Sequence, residues 1–295
     1  MTATQTHPRV LRSADAAAIR SLVRRDPVLH CVLDARLRLA HDLDPQRLGG
    51  FLWGIDGNTV GSTACTDGDV APGLRAAAFH GGNLIPIGED AEALEAIATQ
   101  LSRSGRGCSS IVGSAASVAV MWPVLLRRWG PARAVRANQP LMMIDAPSAI
   151  PPDPAVRRVE LVDLPRFFPA AVAMFTEELS VSPIAHDAGR GYRARVAELV
   201  SAGRAFARFD HRGEVEFKAE VGSVGGATAQ IQGVWVRPDL RGRGIGTACM
   251  AAVLRQALAM APSASLYVND YNESARRMYS RLGMWQANVL TTVLF

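Results

Sequence analysis

The chain has almost no lysine. Of the 32 lysines and arginines among its 295 residues, Lys218 is the single lysine and the rest are arginine. The formal net charge of +5 is spread along both halves rather than gathered in a basic run. The dense patch that grips a nucleic-acid backbone is therefore missing, and no nucleic-acid partner is expected. Cysteine is scarce too: Cys31, Cys65, Cys108 and Cys249 stand far apart, without a C-x-x-C pair. That spacing excludes a zinc or disulfide framework, so no metal is expected and the thiols read as small hydrophobes. No apolar run approaches the ~18–20 residues of a membrane span. The polar stretch Met1–Arg12 lacks the apolar core of a secretory signal. A cytoplasmic chain with no membrane partner is expected.

What is present suits folded cores: 48% of residues are hydrophobic and 20% charged. The length fits two domains of roughly 150 residues. The sharpest break in composition is Ala146-Pro-Ser-Ala-Ile-Pro-Pro-Asp-Pro154, where closely spaced prolines favour an extended connection and interrupt any helix. This places one domain at 1–146, a Pro-rich linker at 147–156 and a second domain at 157–295.

In the second domain, Val156–Leu161, Ala205–Phe209, Val215–Val221, Ala229–Val236, Ser265–Val268 and Asn288–Phe295 read as strands. Asp210-His-Arg-Gly213 has hairpin-turn chemistry, and Gly222, Gly225 and Gly226 mark the next turn. Helices are expected over Pro165–Leu179, Tyr192–Ser201, from the glycine-rich segment to about Met260, and over Glu273–Leu282. The first domain repeats much of this order. Helices Ala14–Arg25 and Cys31–Leu39 precede a hairpin Phe51–Cys65 turning at Asp56-Gly-Asn58. Strand Ala76–Ile87, helix Ala91–Ser102, strand Ser109–Gly113, helix Ser117–Trp129 and strand Pro140–Ile144 follow. The fold class is α/β with mixed sheets: tandem domains of one architecture, each a central, mostly antiparallel sheet flanked by helices.

The segment that carries chemistry runs from Gly233-Val-Trp-Val-Arg-Pro-Asp-Leu to Arg241-Gly-Arg-Gly-Ile-Gly-Thr247. A β-rich run passes through a glycine-rich turn into a helix. Gly242, Gly244 and Gly246 let backbone N–H groups converge without Cβ interference, and the helix dipole adds positive potential. The result suits a pyrophosphate, with Arg241 and Arg243 adding charge. There is no GxxxxGK[ST], and Gly246 comes one residue too early for a G-x-G-x-x-G. Arg-x-x-Gly-x-Gly at 241–246 does fit. Downstream lies Leu266-Tyr-Val-Asn-Asp-Tyr-Asn-Glu-Ser-Ala-Arg-Arg-Met-Tyr-Ser-Arg-Leu-Gly283.

The two segments resemble motifs A and B of the GNAT superfamily of acetyl-CoA-dependent N-acetyltransferases. The likeness covers about 157–295 and is most specific over 215–295. It implies acetyl-CoA as cosubstrate and a pantetheine arm beside Val234, Trp235 and Val236. The pyrophosphate would lie on Gly242, Arg243, Gly244, Ile245, Gly246 and Thr247, after Arg241. Asn269, Asn272 and Ala275 fall on motif B, and Tyr279 would face the sulfur as general acid. A phenol near ~10 can protonate a thiolate near ~8.5 when well placed. An N–H near Val236 would stabilise the oxyanion. The acceptor implied is an amine of a small molecule or a protein, attacking directly in a ternary complex.

One departure bears on the general base. The strand before the loop carries Gln230 and Gln232, which orient but cannot take a proton. Glu220 and Glu178 are the alternative bases. The glutamines leave open a non-catalytic acyl-CoA binder, a sensor or scaffold. In the first domain the corresponding junction is Ile87-Gly-Glu-Asp90, whose carboxylates would satisfy the helix amides and repel a pyrophosphate. The whole resembles actinobacterial proteins that join a degenerate GNAT-like N-terminal domain to a catalytic C-terminal one.

Overall fold

In the computed structural model, which describes residues 7–57, 73–185 and 187–295, both halves follow one order of elements, apart from a short extra helix in the first. The first half runs β1 (Arg9–Val10), α1 (Ala16–Val23), α2 (Cys31–Ala40), α3 (Pro45–Leu48), β2 (Gly50–Asp56), β3 (Leu74–Gly81) and β4 (Asn83–Ile87). It continues with α4 (Ala91–Ser102), β5 (Ser110–Ser114), α5 (Ala115–Trp129) and β6 (Ala134–Ile144). The second half has β7 (Arg157–Arg158), α6 (Leu164–Leu179), α7 (Arg190–Ser201), β8 (Ala205–Phe209), β9 (Val215–Val224) and β10 (Thr228–Val236). Then come α8 (Ile245–Leu258), β11 (Ser263–Tyr267), α9 (Glu273–Arg281) and β12 (Trp285–Leu294).

Local chemistry sets these bounds. Asp90 caps α4 by accepting from the Ala93 N–H, and Ala93, Leu94, Ile97, Ala98 and Leu101 turn one stripe into the core. Ser114 caps α5 in the same way, through the Ser117 N–H. The Asp210–Gly213 turn closes as its composition predicts: Gly213 takes φ +79° and its N–H donates to Asp210 O.

Two compact units result. One holds 1–141 with 287–295; the other holds 142–286. The first unit has antiparallel β1-β2-β3-β4, a parallel β4–β5 pair, and β12 antiparallel to β5. The second has antiparallel β7-β8-β9-β10 and a parallel β10–β11 pair. Each is thus a mixed, mostly antiparallel sheet flanked by helices.

The closing strand corrects the expected 157–295 domain. Leu290–Leu294 pair with Ser114–Ser110, and Val293 is buried among the side chains of α4 and α5. Thr292 Oγ1 also donates to Gln139 Oε1 of β6 at 2.5 Å. Chain order placed β12 with its own half, whereas ladder partners place its last residues in the first unit. The Pro-rich stretch is likewise no free tether. Ile150 and Val156 pack on the core of the second unit, the Asp153 N–H donates to Ala248 O at 3.0 Å, and Asp153 accepts from Arg208 Nη1 at 2.6 Å.

Smaller differences have local causes. The expected strand Ala76–Ile87 is two strands, β3 and β4, folded back at Gly81-Gly82. The described partner of β2 is β3, and the expected hairpin arm through Cys65 lies outside the described residues. Val156–Leu161 keeps only Arg157–Arg158 as strand, because a turn of 3-10 helix starts at Leu161. Gly222 stays inside β9, where the Gln232 side chain fills the space that a Cβ would need. Among the described residues Cys31, Cys108 and Cys249 are buried thiols outside any disulfide, and no cluster could hold a metal ion. No described helix is long and apolar enough to cross a membrane.

Candidate active site

A slip in one strand shapes the site. Between the pairs Gln232–Glu220 and Trp235–Lys218, β10 advances three residues while β9 advances two. The extra residue is a β-bulge at Gly233, whose φ of +59° favours glycine. The slip flips the side-chain alternation. Ala229 and Ile231 face one core cluster, and past the bulge it is Val234 and Val236 that pack against it. Trp235 turns to the other face of the sheet, among α6 and α7 side chains. Its indole is therefore removed from the expected cofactor contacts, and only its backbone stays on that path.

Ahead of the bulge, after Gln230, β10 leaves its parallel neighbour. The β10–β11 ladder consists of Thr228–Ser263, Ala229–Ala264 and Gln230–Ser265, and no pairing between these strands follows among the described residues. Backbone groups on the β11 side of Ile231–Val236 thus lack a β11 ladder partner, an edge that an extended amide-bearing ligand can complete.

The glycine loop lies where this edge ends. Gly242 and Gly244 take φ of +77° and +81°, and a Cβ on either would meet open space. Gly244 is the N-cap of α8, and the Thr247 N–H turns back to Gly244 O. Among the described residues the N–H groups of Gly242, Arg243, Gly244, Ile245 and Gly246 have no protein acceptor. Gly246 sits where a Cβ would come within 3.2 Å of Val236 Cγ2 and 3.4 Å of Met278 Sδ, so its lack of a side chain lets α8 start against both β10 and α9. The array of open amides at a helix N-terminus fits a pyrophosphate.

The two arginines of the loop part company. Arg241 Nε donates to Val236 O at 3.0 Å and its Nη2 to Glu177 Oε2 at 2.6 Å. Glu177 Oε1 also accepts from Trp235 Nε1 at 3.0 Å. Arg241 therefore bridges strand and loop, its guanidinium shared between Val236 O and the half-exposed Glu177. Arg243 is exposed and forms no ion pair among the described residues, so it is the cation left over.

Motif B closes the other side. Asn272 caps α9, accepting from the Ala275 N–H at 3.1 Å, and its own N–H donates to Asn269 O at 3.0 Å. Asn272→Ala is expected to cost about 1 kcal/mol, which Asn272→Ser restores because serine also caps; thermal denaturation of the three chains checks it. Ala275, Ile245, Val234 and Val236 pack on the cluster that contains buried Tyr279. Burial, and then the charge of Glu178, push the Tyr279 phenol above its ordinary value, so it stays protonated at neutral pH.

At the bulge lies the buried pair of the lone lysine. Lys218 and Glu220 side chains are 0% and 5% exposed, with Nζ 2.8 Å from Glu220 Oε1. Nζ donates to Gly233 O at 3.1 Å and lies 5.4 Å from the Phe167 ring centre. Glu220 Oε1 is off the hydrogen-bonding direction and has no partner there, leaving one buried acceptor open. A Cβ at Gly233 would fall 3.0 Å from Lys218 Nζ and 3.4 Å from Glu220 Oε2, so the pair abuts the bulge.

Residues 195–284 match the family model described as Acetyltransferase (GNAT) family. The C-terminal half carries a GNAT domain. Ahead of it, residues 65–167 match a domain of unknown function, DUF4081. No curated protein matches the chain. Solved structures similar over the full length include a GNAT-family acetyltransferase from Colwellia psychrerythraea, 12% identical over 98% of this chain and 99% of that one, with a TM-score of 0.55. A GCN5-related N-acetyltransferase from Sphaerobacter thermophilus is 17% identical over 100% and 97%, TM-score 0.59. A tandem GNAT protein from the clavulanic acid biosynthesis pathway is 14% identical over 98% of each chain, TM-score 0.53. At such identities the likeness is one of fold.

Within the second unit the two proposed bases lie in different settings. Glu178 is exposed on the last turn of α6, and Glu220 is buried on β9. Tyr192 joins them and was missed by motif matching: its hydroxyl donates to Ala171 O at 3.0 Å, and burial, then Glu220 and Glu178, raise its phenol. Glu177 was missed because only helix phase separates it from Glu178. In the first unit the junction after β4 is filled by protein. Arg75 forks Asp90 at 2.7 and 3.0 Å and reaches Glu92 at 2.7 Å, while Asp90 accepts from the Ala93 N–H. The Arg75 hydrogen bond holds the Asp90 carboxyl below its usual range, and the carboxylate occupies the place an anion would take.

Proposed function

We propose that the GNAT domain transfers the acetyl group of acetyl-CoA to an amine of a small molecule or a protein, in a ternary complex. The observation that carries this is the parting of β10 from β11 after Gln230, in a strand that leads to the open amides of the glycine loop and packs on the cluster holding Tyr279. The pantetheine arm lies along Val234–Val236, and the pyrophosphate on Gly242–Thr247 with Arg243. The amine attacks the thioester carbonyl, the C–S bond breaks, and Tyr279 protonates the departing thiolate. Glu220 takes the proton that the amine loses; Lys218 holds it beside the bulge. Gln230 and Gln232 favour the second reading, a non-catalytic acyl-CoA binder.

Calorimetric titration of acetyl-CoA tests the cofactor site. One site per chain is expected in the wild type. Gly244→Glu places a carboxylate among the amides and should weaken binding by about 100-fold or more, and Arg243→Glu by about tenfold. Absence of binding to the wild type would sink both readings.

A further inference from the structure

Helix α9 has a second working face. Its inner side sends Ala275, Met278 and Tyr279 to the core of the GNAT domain. On the outer side, Arg276, Arg277 and Arg281 line a cleft of about 590 Å³ together with Trp285, Met142 and Met284. The methionines form a buried floor, and Trp285 stands 50% exposed. None of the inferred acetyl-CoA contacts belongs to this cleft.

Folding does not account for its composition. A helix dipole favours a cation in the last turn, which explains Arg281 alone. Arg277 and Arg281 are four residues apart, a like-charge spacing that costs a short helix a few tenths of a kcal/mol. Arg281 forms no ion pair or hydrogen bond among the described residues. Arg276 gives one N–H to Asp270 O at 3.1 Å. Arg277 meets Glu273 at 2.9 Å, but with side chains 63% and 72% exposed, so the pair is weak and open to exchange. The cleft therefore combines two guanidinium forks without an ion pair among the described residues, Arg276 and Arg281, a third, Arg277, held only by the exposed Glu273 on the same lining, an exposed indole and an apolar floor.

We propose that it binds a nucleoside phosphate. A planar base stacks on Trp285 over the methionines, and its phosphates take the forks of Arg277 and Arg281. The volume lies in the range of small-molecule sites.

Calorimetry with ADP tests this. Because the ADP portion of coenzyme A would register at the glycine loop, the titration uses the Arg243→Glu/Gly244→Glu chain, which carries both losses at that loop. Saturable binding of one ADP is expected there. Arg277→Ala/Arg281→Ala should weaken it tenfold or more, and Trp285→Ala by about tenfold. These side chains are exposed, so unchanged melting temperatures accompany the losses. Pyrophosphate and adenosine should each bind more weakly than ADP. No saturable ADP binding, binding indifferent to both sets of variants, or pyrophosphate binding as tightly as ADP would each overturn the proposal. Loss of acetyl-CoA binding in the same chain, with ADP binding intact, leaves it standing.

Discussion

Replacing Lys218 by alanine is expected to destabilise the GNAT domain by about 3–5 kcal/mol, because it strands a buried carboxylate. Glu220 is 5% exposed on its side chain and its Oε1 already lacks a hydrogen bond; the 2.8 Å approach of Nζ is the only compensation the described residues give that atom. The Gly233 carbonyl would lose its lysine donor as well. The double variant Lys218→Met/Glu220→Gln removes both charges and keeps most of the volume, so it should recover most of the loss. Urea denaturation of the two chains measures the difference. A loss below about 1 kcal/mol for the single variant would mean that water reaches the pair and that it is an ordinary surface bridge. The double variant also separates stability from chemistry. Folded but without a carboxylate at 220, it should bind acetyl-CoA and lose turnover if Glu220 receives the amine proton.

The parts legible in the sequence are those written by local backbone chemistry. Gly242 and Gly244 announce left-handed conformations, and the structure uses them so. Asp90 and Asn272 delimit helices through capping, and α4 runs from Ala91 to Ser102 as its pattern predicts. The bulge had one local sign, a glycine inside a β-run, but only the register with β9 shows that Val234 and Val236 resume the inward face. Lys218 lies between Phe217 and Ala219 but on the opposite face of β9, and its burial depends on α6 covering that face. No property of Glu177 or Glu178 alone tells which one meets Arg241. The home of β12 is set by β5, far away in the chain, so order along the sequence pointed to the wrong unit.

Tyr279→Phe should leave acetyl-CoA affinity unchanged and lower turnover by about 10²–10⁴. The substitution removes one oxygen from a buried ring and keeps the packing that α9 makes with Val234, Val236 and Ile245. A binder has no turnover to lose, so the variant separates the two readings: thiol release from acetyl-CoA, followed with an amine that supports the wild type, falls steeply only for an enzyme. Full activity in the variant would remove Tyr279 from the mechanism and shift protonation of the thiolate to water. The alkaline side of the profile gives a second check. Burial and Glu178 raise the phenol in the folded state, so its protonated form is the one the fold favours. Its contribution to stability is complete below the unfolded value near ~10 and is lost as pH climbs through the higher folded value. Tyr279 therefore imposes no decline in turnover below about pH 10. A Tyr279-dependent decline between pH 7 and about 9 would show a phenol far more acidic than its surroundings allow.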